Sequence, residues 1–256
     1  RRPPRSTPLY SSAASDVYKR QLACNFVVAQ QNITFEQVGL KVEAGSAGYV
    51  LGLVDEFYSS IDLPDGVSVI LDYVAFKSNE VEATHYLSFV GSVEGLTELR
   101  KLRSGAAYTK YNTEMQKFGS ITSSNIGSTL IRTGLDKRDG HKYSQSWQWR
   151  VDNPAVFAAA FQTFMKGYSH PGYVSLGQIS HGQSSDGESH YIYASHKDYG
   201  AAITNNIDTK KEQAAFAKFQ QTIAPISTYF GTRTLMNIKT WNQRKSNQTL
   251  NEKPSN

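Results

Sequence analysis

Apolar and polar positions alternate along this chain in two registers. From Ile33 to Glu43 the positions Val38, Leu40 and Val42 interleave with polar or small residues, which predicts a half-buried strand. From Ala47 to Ile61 the period lengthens. Val50, Leu53, Val54, Phe57 and Ile61 recur at helical spacing, with Ser46 placed to cap the start. Leu63-Pro64-Asp65-Gly66 is a stop and turn. Strands are predicted over Val67 to Phe76 and Ala83 to Val90, joined by a turn at Lys77-Ser78-Asn79-Glu80. Helical patterning returns over Glu94 to Leu102 and, past Ser104-Gly105, over Tyr108 to Phe118. A strand over Ser128 to Thr133 completes the series.

The same order then repeats. Trp147 to Val151 reads as a strand. Asn153-Pro154 opens a helix whose apolar stripe is Val156, Phe157, Ala160, Phe161 and Phe164, and Ser169-His170-Pro171-Gly172 ends it. Tyr173 to Ser180 and Ser189 to Ser195 form a hairpin around the polar stretch Gly182 to Glu188. Helical segments follow over Lys197 to Thr204 and Lys211 to Ile223, then a strand over Leu235 to Trp241. The repeat is also visible in residues. His85-Tyr86-Leu87-Ser88-Phe89 answers to His190-Tyr191-Ile192-Tyr193-Ala194, and Thr129-Leu130-Ile131 to Thr234-Leu235-Met236, both 105 positions on. Lys41-Val42-Glu43 answers to Arg150-Val151-Asp152, and Gly66-Val67-Ser68-Val69 to Gly172-Tyr173-Val174-Ser175.

The expected class is therefore α+β, with two tandem βαββαβ units over residues 33–133 and 147–241, a polar linker at 134–146 and a polar tail at 242–256. This order and duplication resemble the dimeric α+β barrel group, the ferredoxin-like fold of antibiotic-biosynthesis monooxygenases, EthD-type proteins and stress-responsive barrel domains. The resemblance covers about residues 33–241. It implies two four-stranded sheets facing each other within one chain, a pseudo-dimeric barrel with helices outside, and ligands held within the barrel or between sheet and helices.

Charge adds little to this picture. The formal net charge is +5, but residues 1–21 hold Arg1, Arg2, Arg5, Lys19 and Arg20 against Asp16, leaving +1 for the remainder. A near-neutral body lacks the footprint of a nucleic-acid binder. Residues 1–21 have no periodicity and resemble translated sequencing-adaptor DNA of the kind found in metagenomic assemblies; the alternative is a disordered basic tail. Residues 22–32 resemble the end of a truncated signal peptide, with Val27-Val28-Ala29 before Gln30, which implies a periplasmic or secreted bacterial protein. A lipobox at Cys24 or an ordinary strand are the other readings. Cys24 is the one cysteine, so cleavage after Ala29 leaves none and excludes disulfides and thiolate chemistry. No apolar run is long enough for a transmembrane helix.

Candidate chemistry rests on the duplicated positions. His85 and His190 are candidate proton acceptors or axial ligands, set against strand-end histidines bonded to a turn and copied by duplication. Tyr86, Tyr191, Tyr193, Tyr73 and Tyr173 are candidate ligand-lining residues, set against ordinary sheet tyrosines. Trp147 and Trp149 share one face and are either a ligand platform or core. His181, Asp186, Glu188, His190 and His196 match no tight metal spacing, so no metal is expected. No nucleophile elbow, phosphate loop or dinucleotide fingerprint is present, so no cofactor is expected. The reading that best fits is a small-ligand-binding barrel. The alternatives are a cofactor-independent enzyme using a strand histidine and a structural module, as monomer with internal pseudo-dimer or as homo-oligomer.

Overall fold

A computed structural model describes residues 33–78, 80–137, 140–183, 187–204 and 207–242. The adaptor-like segment, the signal-like segment, Cys24, Asp186 and the tail beyond Asn242 lie outside these. The order is β1 (Thr34–Val42), α1 (Ala47–Ser60), β2 (Ser68–Phe76), β3 (His85–Gly91), α2 (Val93–Leu102), α3 (Gly105–Met115), β4 (Gly119–Thr133), β5 (Tyr143–Val151), α4 (Pro154–Gly167), β6 (Val174–His181), β7 (His190–His196), α5 (Tyr199–Thr204), α6 (Lys210–Ile223) and β8 (Ser227–Asn242). Short 3₁₀ turns precede β5, at Leu135–Lys137, and β8, at Ala224–Ile226.

Local signals explain most of these boundaries. The Pro64-Asp65-Gly66 turn is closed by Val67 N–H donating to the Pro64 carbonyl, with Gly66 at φ 70°, where a side chain would be strained. Asn153 caps α4, its side chain accepting from Val156 N–H at 3.2 Å, with Pro154 at the first helical position. Thr209 and Glu212 form a capping box on α6. Ser46 departs from expectation. Its carbonyl accepts from Val50 N–H, but its side chain makes no cap bond.

The eight strands close into one antiparallel barrel, in the order β1-β3-β2-β8-β5-β7-β6-β4. Within each unit the fourth strand lies beside the first, the first beside the third, and the third beside the second. The halves are joined by β8 on β2 and by β4 on β6. These seam strands are longer than the sequence pattern suggests. β4 begins at Gly119 rather than Ser128, and β8 at Ser227 rather than Leu235. Each has two jobs. β4 pairs with β1 over Gly119–Ser128 and with β6 over Ile126–Thr133. β8 pairs with β5 over Ser227–Met236 and with β2 over Thr234–Asn242. β5 likewise begins at Tyr143, inside the stretch read as linker.

Two apolar cores lie between the barrel wall and the helices. One joins Val50, Val54, Phe57 and Tyr58 of α1 to Leu71, Leu87 and Phe89. The other joins Phe157, Phe161 and Phe164 of α4 and Phe219 of α6 to Trp149, Leu176 and Ile192. Because strand residues alternate in direction, those flanking Leu87 or Ile192 in sequence point into the barrel.

Candidate functional site

The barrel interior holds a half-open cavity of about 600 Å³. Eight strands give an interior that side chains just fill or that holds one small ligand, and a cavity of this size falls in the range of small-molecule sites. Aromatic lining comes from Phe35, Tyr86, Tyr143, Tyr173, Tyr191 and Tyr193. Polar lining includes Gln37, Asp72, Ser88, Ser146, Arg233 and Asn237. The residues Gly140, His141 and Lys142 before β5 also border it.

Asp72 is the most perturbed carboxylate inside. It stands opposite Tyr86 on β3 and opposite Asn237 on β8. Asn237 Nδ2 donates to its Oδ1 at 3.0 Å. Burial raises its pKa to about 6, with the Asn237 hydrogen bond acting in the other direction. Arg233 donates to the Tyr86 hydroxyl, lies 5.7 Å from that ring and pairs with Glu188 at 3.5 Å. Its charge is therefore partly matched by the Glu188 carboxylate.

The other half is built differently. Tyr191 faces Gly177 across the β6–β7 ladder, and any side chain at 177 would collide with the Tyr191 ring. Tyr191 hydrogen bonds with Thr129 and meets Phe35 edge-on at 5.4 Å. Burial raises its phenol pKa. Phe35 itself lies over Gly127, which has no room for a Cβ.

The sequence-derived candidates divide by face. Tyr86, Tyr173, Tyr191 and Tyr193 line the cavity. His85 and His190 do not. They point outward with Leu87 and Ile192, toward the helix layer. His85 Nδ1 is 3.0 Å from the Thr84 hydroxyl, and its ring meets Tyr73 edge-on at 5.5 Å. His190 Nδ1 is 2.9 Å from the Ser189 hydroxyl, its ring lies 6.1 Å from Phe157, and its Nε2 is buried without a partner. Burial holds His85 below its ordinary pKa and lowers His190 to about 4. The two histidines thus have turn-hydroxyl partners in common and no line of approach to a ligand in the barrel. Tyr73 is on the same outer face of β2 and exposed. Trp147 and Trp149 pack into the second core instead of forming a platform. In each case strand parity decides the outcome.

Asp72, Arg233 and Asn237 escape the sequence reading. Asp72 had a signal, as the one charge within the run Val67 to Phe76. Arg233 had none, because it lies in the part of β8 paired with β5, where the sequence pattern marks no strand.

Eight antiparallel strands, closed by two exchanged seams and covered by helices, decide the architecture. The fold is the dimeric α+β barrel, in tandem within one chain. No protein-family model and no curated protein matches the sequence. Solved structures similar to this barrel include a candidate monooxygenase from Lactobacillus acidophilus, with 13% identity, a TM-score of 0.55 and coverage of 84% of this chain and 97% of that one. A second candidate monooxygenase, from Fusobacterium nucleatum, is 10% identical with a TM-score of 0.54, covering 84% and 96%. An anthrone oxidase-like protein is 11% identical with a TM-score of 0.52, covering 83% and 93%. At these identities the α+β barrel likeness is one of fold, and fold alone does not carry chemistry. Among the described residues no helix is long and apolar enough to cross a membrane.

Proposed function

We propose that the barrel interior binds one small, partly aromatic ligand. The observation that carries this is the cavity of about 600 Å³ whose wall combines six aromatic rings with a few convergent polar groups. The neutral fluorophore 2-naphthylmethanol tests it. Binding is expected to be saturable and to disappear in Ser146→Trp, which fills the interior beside Tyr193. No binding by either protein sinks the proposal.

A second reading, catalysis without a resident cofactor, is favoured by one feature. Asp72 holds its proton until about pH 6 in the cavity wall, across the ladder from Tyr86, where a general acid or base works well near neutrality. Names such as monooxygenase, borne by structural neighbours, are consistent with it. In this reading the proton acceptor is Asp72 and not His85 or His190, since neither ring faces the cavity. Asp72→Asn would abolish turnover of a substrate while His85→Gln would not; the reverse pattern would defeat it.

Export is a companion proposal supported by the Leu22 to Ala29 stretch alone. Fractionation of cells expressing the gene with its native start tests it, and a cytoplasmic pool would reject it.

A further inference from the structure

The two half-barrels share one order of strands, so the positions where they differ mark the asymmetry of the interior. Register fixes the correspondence. Tyr86 stands opposite Asp72, and Tyr191 stands opposite Gly177. Asp72 in turn faces Asn237, whereas Gly177 faces Thr129. Two positions farther along the third strand of each half, Ser88 and Tyr193 stand opposite Gln37 and Ser146, whose outer neighbours are Asn125 and Arg233. The second half has no carboxylate at this place and fills the space with the Tyr191 ring. The first half keeps a carboxylate inside an aromatic-walled chamber.

Among the described residues no cationic side chain pairs with that carboxylate. Its hydrogen-bond partner is the neutral Asn237 amide. Beside it on the wall stand Tyr86 from β3 and Asn237 from β8, whose backbone N–H donates to the Lys142 carbonyl, and Arg233, Tyr143, His141 and Lys142 also line the cavity. Arg233 is committed to Glu188 and to the Tyr86 hydroxyl and ring. A half-buried carboxylate without a counter-ion is costly unless something pairs with it. Aromatic faces attract cations as well.

Resting on the proposal that the cavity is a ligand site, we infer that its ligand is a small organic cation, an ammonium or amidinium on an aromatic body, with the cation at Asp72 and the body against Phe35 and Tyr191. The asymmetry also fixes one ligand per chain in one orientation, because Gly177 offers no second carboxylate.

Three probes of one shape test this by titration against the full chain: 2-naphthylmethylammonium, 2-naphthylmethanol and 2-naphthoate. At about pH 7.5, where Asp72 is ionised, the ammonium is expected to bind about tenfold or more tighter than the alcohol, as one charge-assisted contact provides, and the carboxylate most weakly. Asp72→Asn should erase the preference of the ammonium over the alcohol, and circular dichroism checks that the variant is folded. Lowering the pH to about 5 should weaken ammonium binding as Asp72 takes up its proton. Equal binding of all three probes, preference for naphthoate, or tighter ammonium binding at the lower pH overturns the inference while leaving a ligand site standing. Failure of every probe, the alcohol included, overturns both.

Discussion

Asp72 and Gly177 occupy the same place in the two halves of the barrel, each directly across the ladder from a tyrosine of the repeated His-Tyr pair. One keeps a carboxylate in the interior, and the other leaves room for a ring. The carboxylate stabilises nothing by being there. Its folded pKa of about 6 lies above the ordinary carboxylate value, so the native state holds the proton more tightly than the unfolded chain. The cost is absent at low pH, appears as pH rises through the window between those two values, and is complete above about 6. It amounts to about 3 kcal/mol at neutrality. Asp72→Asn is therefore expected to raise Tm by several degrees at neutral pH, with the gain shrinking below about pH 4. A lower Tm at neutral pH would show that Asp72 has a stabilising partner.

Buried histidines act in the opposite sense. Burial lowers both His190 and His196 to about 4. His196 is 2% exposed with neither ring nitrogen partnered, and His170 lies 5.1 Å from it. Their folded pKa values are below the unfolded value of about 6.5. The stability they contribute is complete above that value and is lost as pH falls toward 4. Acid unfolding monitored by circular dichroism should begin in this window. His196→Leu should move the midpoint to lower pH, and an unmoved midpoint would contradict the assignment.

Gly177 and Tyr191 are coupled by contact. Gly177→Ala places a methyl against the Tyr191 ring and is expected to destabilise by about 1–3 kcal/mol, as overpacking does. In a Tyr191→Ala background the same substitution should cost much less. Equal costs in the two backgrounds would mean that the ring is free to move aside.

His85 is a control for the site. Its ring is outside the barrel, against Tyr73 and the Thr84 hydroxyl. His85→Gln should leave the affinity for 2-naphthylmethanol unchanged. A loss of affinity without a loss of fold would return the histidine to the site.

Much of the architecture was legible in the chain. The alternation Val38-Leu40-Val42, the stripe Val50-Val54-Phe57 and its counterpart Phe157-Phe161-Phe164 placed strands and helices within a few residues, because each buries one face against the helix layer. The starts of β4 and β8 were not legible. Ser120 to Asn125 and Thr228 to Thr232 carry little apolar alternation, and their pairing depends on distant strands of the barrel. Parity separated the tyrosines from the histidines, but nothing local to His85-Leu87-Phe89 said which face met the helices. That depended on α1 and α2 packing across the sheet. Asp72 was visible as a charge in an apolar strand. Its significance required the closed barrel, since an open sheet would have left it in water.

The ligand site proposed for this protein is the barrel interior and no outer surface. Tyrosine-selective ¹³C labelling followed by NMR titration with 2-naphthylmethanol tests it most directly. Ring-carbon shifts are expected at Tyr86, Tyr173, Tyr191 and Tyr193, with Tyr49 and Tyr73 on the outside unmoved. Shifts confined to the outer tyrosines, or none at any tyrosine under saturating probe, would contradict it.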